Sequence, residues 1–100
     1  MAILNAQETF IKIKSLIDQY GSAYSNWYTG ITSDPETRLF QQHGVSKDTD
    51  VWTFQRCQSE QGARDVEAAL LELGCDGGPG GGEKSCDYNY AYRKSRNTNP

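Results

Sequence analysis

The chain has 100 residues, of which 36% are hydrophobic and 11% aromatic. That is enough for one domain with a compact core, and no apolar run approaches the roughly 18 residues that a membrane-spanning helix needs. Lys and Arg number 10 against 13 Asp and Glu, a formal charge of −3, which excludes a strongly basic nucleic-acid wrapper but leaves room for a local phosphate site.

The opening residues, MAILNAQETF, hold neither a basic region nor a long apolar stretch, so no secretory signal is expected. Cys57, Cys75 and Cys86 cannot all pair within one chain and match no zinc spacing. A reducing, cytoplasmic setting is the expectation. A compact chain with no targeting module also suits a phage or mobile-element protein.

The spacing predicts a first helix over 5–20. Asn5 and Glu8 stand at capping-box spacing, Phe10, Ile13, Ile17 and Tyr20 follow at helical period, and Gly21 is a stop. Trp27–Thr32 reads as a strand, with Gly30 marking a bulge or a close backbone approach. Asp34 and Pro35 then start a short helix over 35–43, with Leu39 and His43 on one face.

A second strand is expected over 51–57, with Trp52 and Phe54 on one side. Ser59 caps a third helix over 60–73, whose stripe is Ala63, Val66, Leu70 and Leu73 and whose stop is Gly74. Residues 74–85 are too glycine-rich for a helix or strand, and 77–82 are expected to be mobile. They lack the Gly-x-x-x-x-Gly-Lys-Ser/Thr pattern of a nucleotide loop.

Tyr88, Tyr90 and Tyr92 recur at period two, a third strand with all three rings on one face. They serve either as half-buried packing or as a surface on which bases stack. Arg93, Lys94 and Arg96 make this end of the chain basic. The expected architecture is an α+β (α/β) domain over 1–94, a small mixed or antiparallel three-stranded sheet flanked by three helices, the first helix being an N-terminal extension. Residues 95–100 are expected to form a flexible basic tail.

The side chains that suit phosphoryl chemistry are Tyr28, Arg38, His43 and Glu67. A guanidinium holds two phosphate oxygens in a fixed fork, a carboxylate holds a hard divalent cation, and a phenol or imidazole orients a water. At about 100° per residue, Glu67 falls roughly 80° from the centre of its helix's apolar stripe, at the border of the buried face.

The run Tyr28-Thr29-Gly30-Ile31-Thr32, Asp34-Pro35, Arg38-Leu39 and His43, followed by Val66-Glu67 on a later helix, resembles the second half of a GIY-YIG nuclease core, over about residues 26–73. The resemblance implies a GIY-YIG-like fold and metal-dependent cleavage of phosphodiester bonds in DNA or RNA. Arg38 would clamp the phosphate, Glu67 would bind Mg²⁺ or Mn²⁺, and Tyr28 would orient the attacking water with help from His43. Gly30, Tyr90, Arg93 and Lys94 would contact substrate. No strand bearing the family's first motif fits between Gly21 and Trp27, so the Tyr88–Tyr92 strand is expected to take the vacant place in the sheet, beside Trp27–Thr32. A non-catalytic relative binding a nucleotide, a nucleic acid or a protein is the alternative, and a structural or regulatory protein docking a partner through its first helix is another.

Overall fold

The structure, a computed structural model, describes residues 2–21, 23–78 and 86–100. The glycine-rich stretch expected to be mobile lies outside the described residues from position 79 onward. In chain order the elements are α1 (Ala6–Gln19), a single 3₁₀ turn (Tyr24–Asn26), β1 (Trp27–Thr32), a π-helical segment (Thr37–Gln42), β2 (Trp52–Arg56), α2 (Glu60–Leu73) and β3 (Tyr88–Arg93). The three strands form one antiparallel sheet in the order β1-β3-β2. The domain is α+β, and the strand that closes the sequence is the centre of the sheet, paired with β1 as expected.

Local chemistry sets the helix ends. The Asn5 side chain accepts from the Glu8 amide at 2.8 Å, and the Glu8 carboxylate accepts from the Asn5 amide at 3.2 Å. That reciprocal pair satisfies donors that α1 itself cannot. The Ser59 hydroxyl accepts from the Gly62 amide at 3.0 Å and starts α2, and Gly74 ends it at φ 117°, a conformation that strains any residue bearing a Cβ.

The period of two then divides the sheet. Trp27 and Ile31 of β1 and Ala91 of β3 face the helices. Trp27 and Ala91 join Ile13 and Ile17 of α1 and Val66 and Leu70 of α2 in the largest buried cluster. The apolar stripe of α1 is therefore spent on the core, and the exposed apolar residues near it are Ile3 and Ile11. Leu73, expected in the α2 stripe, is instead 37% exposed, the last residue of the helix before its Gly74 cap. The opposite sheet face carries Tyr28, Gly30 and Thr32, then Tyr92, Tyr90 and Tyr88 in register with them, then Trp52, Phe54 and Arg56. The π-helical segment lies against this second face, with Leu39 and Val45 buried beside Tyr90 and Tyr92.

The last six residues carry more contacts than a fraying tail implies. Thr98 is buried, Asn97 donates to the Gly44 carbonyl at 3.0 Å and to Asp50 at 2.8 Å, and the Asn99 amide donates to the His43 carbonyl at 2.7 Å.

Candidate active site

Asp34 and Pro35 begin the short helix as expected: Asp34 accepts from the Thr37 amide at 3.2 Å and from its hydroxyl at 2.8 Å. The helix then widens. The His43 amide bonds to the Arg38 carbonyl at 2.9 Å, five residues back rather than four. In an α-helix, residues five apart point roughly 140° away from each other. The wider π turn brings Arg38 and His43 toward one side, and such segments recur at functional sites.

His43 is the best-defined group of the cluster. Its Nδ1 lies 2.7 Å from the Asn99 carbonyl oxygen and its Nε2 lies 2.9 Å from the Tyr90 hydroxyl. A carbonyl only accepts, so Nδ1 carries the proton and Nε2 of the neutral ring is an acceptor. The Tyr90 hydroxyl therefore donates to Nε2. Tyr92 Oη, 3.1 Å from Nδ1, shares the hydrogen that points at Asn99.

Burial keeps the ring neutral by lowering its pKa below the usual 6.5. The Asn99 carbonyl opposes that shift and the positive charge of Arg38 adds to it. The linkage has a definite sign. The contribution of His43 to stability is fully present above about pH 6.5 and is lost as pH falls through the lowered folded value, because the unfolded chain then binds the proton more readily. ¹⁵N NMR is expected to show one neutral Nδ1–H tautomer at pH 7 and a midpoint below 6.5. Truncation before Asn99 should mix the two tautomers.

Tyr90 is the hub of the site. Its ring is 2% exposed. Its hydroxyl hydrogen-bonds His43 Nε2, and the charges of Arg38 and Glu67 act on it in opposite directions. Burial, with Tyr28 second, pushes the phenol well above its ordinary range, so it holds its proton and donates. Gly30 permits this arrangement. A Cβ there would lie 2.5 Å from Tyr90 Oη and 2.7 Å from Cζ. Tyr28 covers the cluster, with its ring centroid 4.8 Å from His43, 5.4 Å from Tyr92 and 6.5 Å from Tyr90.

Glu67 is half-buried at the border of its helix, as its position on the wheel predicts. Desolvation raises its pKa, with partial opposition from Arg64, and its Oε2 is buried without a hydrogen-bond partner. A buried carboxylate oxygen with nothing to accept from is unusual in a folded protein. Among the described residues no three His, Cys, Asp or Glu side chains gather into a metal site. A hard cation here would have Glu67 as its one protein carboxylate, with water and substrate oxygens in the other positions.

The expected site residues thus divide. Tyr28, Gly30 and His43 lie against Tyr90, and Arg38 belongs to the π-helical segment that His43 ends. Glu67 stands on α2, which packs against the other face of the sheet, and only its charge reaches Tyr90. Arg93 does not join them. It follows the tyrosines by an odd step, faces the helix side, and lies over the Tyr20 ring at 5.3 Å. Lys94 is held at the edge of the site by Asp76, at 3.2 Å. Tyr90 enters as a member of the hydrogen-bonded centre rather than as a surface contact, because β3 is the central strand. Tyr92 joins it, and its parity with Tyr90 was the signal available for it.

Comparison with family models, curated proteins and solved structures finds no match for this chain.

Proposed function

We propose that the protein is a metal-dependent endonuclease of GIY-YIG-like type that hydrolyses phosphodiester bonds in DNA or RNA. The observation that carries this reading is the His43–Tyr90 hydrogen bond beside the π-helical segment that carries Arg38, with the orphaned Oε2 of Glu67 as the anchor available to a metal. A nuclease needs a fixed cation for the phosphate, an anchor for a divalent metal and a route for the proton of water. These groups supply one of each.

In this mechanism Arg38 binds the non-bridging phosphate oxygens through its fork. Glu67 would hold Mg²⁺ or Mn²⁺, which when bound supplies charge stabilisation at the phosphate and the leaving oxygen. Tyr28 and Tyr90 orient the attacking water. As the water oxygen bonds to phosphorus and the P–O bond to the leaving sugar oxygen breaks, Tyr90 Oη accepts the water proton and passes its own to His43 Nε2. That nitrogen is free to take it because Asn99 keeps the ring's hydrogen on Nδ1. The leaving sugar oxygen takes a proton from solvent water and His43 later returns its extra proton to solvent, so the products are a phosphate monoester and a sugar hydroxyl. The buried, unbridged thiols of Cys57, Cys75 and Cys86 suit a reducing cytoplasm, and no helix among the described residues is long and apolar enough to cross a membrane.

The test is cleavage of labelled oligonucleotides and of supercoiled plasmid with and without Mg²⁺ or Mn²⁺. Cutting is expected only with the metal. Glu67→Gln is expected to abolish it while leaving the thermal midpoint no lower than that of the wild type, since the variant removes a desolvated charge and keeps the volume. Nucleic-acid binding with no metal-dependent cutting on any substrate would establish the non-catalytic alternative instead.

A further inference from the structure

The sheet face that carries the site continues past it. Register places Trp52 opposite Tyr92 and Phe54 opposite Tyr90, so both rings of β2 share the face of the Tyr28, Tyr90 and His43 cluster. β2 is an edge strand, and α1 and α2 cover the other side. The rings form a row. Phe40 meets Trp52 edge-on at 4.9 Å, and Trp52 and Phe54 lie 5.9 Å apart with planes only 14° from parallel. Phe54 meets Tyr88 at 6.2 Å. Phe40, Trp52, Phe54 and Tyr88 are all half-buried. A cation stands at each end: Lys47 Nζ lies 4.8 Å from the Phe40 centroid, and Arg56 Cζ lies 5.8 Å from that of Tyr88. Arg56 also pairs with Asp87 at 2.9 Å, which fixes its guanidinium in place.

We infer that this row is a stacking platform for single-stranded DNA, with Lys47 and Arg56 meeting the backbone phosphates at its two ends. The inference rests on the endonuclease reading and names its substrate class. Aromatic faces flanked by cations bind single strands by base stacking and backbone attraction. In a duplex the faces of the bases are already stacked on one another and only their edges reach a protein. The Trp52 and Phe54 ring centroids stand 5.9 Å apart, well beyond the ~3.4 Å per nucleotide of a duplex strand, so bases seated on both rings have left duplex stacking. The row takes over the stacking role considered for Tyr88, Tyr90 and Tyr92. The central place of β3 buries Tyr90 and Tyr92 and leaves that role to the edge strand. Hydrolysis by water needs no neighbouring sugar hydroxyl, so the strand without one is assigned, and a uridine oligomer is the arm of the test that would reverse this.

Fluorescence anisotropy with a labelled thymidine oligomer, in EDTA so that nothing is cut, tests this. The single strand is expected to bind at least about tenfold more tightly than a duplex of the same length at the same salt. Trp52→Leu and Phe54→Leu keep apolar bulk and remove the ring. Each is expected to weaken binding by about fivefold or more, with circular dichroism unchanged. Trp52→Ala and Phe54→Ala should follow in the same direction. Equal affinity for duplex and single strand, or full affinity in folded Trp52→Leu and Phe54→Leu proteins, would overturn the platform. Tighter binding of the matching uridine oligomer would overturn the assignment to DNA. The two readings fail separately. Single-strand binding that depends on Trp52 without any metal-dependent cutting keeps the platform and removes the nuclease. Metal-dependent cutting of duplex that ignores Trp52→Leu keeps the nuclease and removes the platform.

Discussion

Arg38→Ala is expected to lower cleavage by at least about 10²–10³-fold, the effect typical of removing one preorganised group that stabilises transition-state charge. The residue belongs to the π-helical segment, whose wider turn brings it toward the side of His43, and its charge acts on the Tyr90 hydroxyl. Arg38→Lys tests geometry against charge. It keeps the positive charge but loses the planar fork, and it is expected to recover only a small part of the rate. Binding of a single-stranded oligomer in EDTA should change by a few-fold at most, because one phosphate contact among several contributes modestly to affinity. The measurement is single-turnover cleavage with saturating Mn²⁺, alongside circular dichroism of each variant. An Arg38→Ala protein that cuts within a few-fold of the wild type would remove the phosphate clamp from the mechanism.

What the sequence makes legible here is whatever local chemistry decides alone. Asn5 with Glu8, Ser59 with Gly62, and Gly74 at positive φ set the ends of both α-helices without help from the rest of the chain. The period of two also suffices to put Tyr88, Tyr90 and Tyr92 on one face. The same parity, applied one residue further, places Arg93 on the opposite side and separates it from the site. Winding and order in space are harder to read. The π turn over Thr37–Gln42 shifts one hydrogen bond by one residue, and no residue type announces it; Leu39 and His43 keep a helical spacing under either winding. The central place of β3 follows only from counting strands, yet it decides which rings are buried and which remain open on β2.

The tail illustrates the other limit. Ser95, Asn97 and Asn99 have the composition of a disordered end. Their partners, Asp50, Gly44 and His43, lie more than forty positions away in sequence and show no period. Polar contacts of that kind leave no pattern in one chain. The tautomer of His43, on which the proton route depends, is set by one backbone carbonyl among them. Glu67 falls between these cases: the helical wheel places it at a border, but only the packed structure shows that one of its oxygens is buried without a partner.

Gly30→Ala is expected to be the most damaging single methyl in the site. The added Cβ would stand 2.5 Å from Tyr90 Oη, 2.7 Å from Cζ and 2.9 Å from Cε1. A ring end that is free to swing makes such a clash cheap, but Tyr90 is 2% exposed and is held by His43. Relief requires either the ring to leave its hydrogen bond or β1 to move away from β3 at the Gly30–Tyr90 pair. Overpacking of this kind costs about 1–3 kcal/mol, to which the lost contact of a buried hydroxyl adds about 1 kcal/mol. Urea denaturation should show the midpoint falling with little change in slope, and cleavage should fall because the proton route runs through the displaced hydroxyl. Tyr90→Phe separates the two effects. It removes the closest atom and the hydrogen bond while keeping the ring, so it should slow cleavage about 10²–10⁴-fold with a smaller loss of stability. In the Tyr90→Phe background Gly30→Ala should cost less than it does alone, because the 2.5 Å contact is gone and no hydrogen bond remains to break. Strict additivity of the two substitutions would mean that the ring moves freely, and Gly30 would then not be what holds Tyr90 against His43.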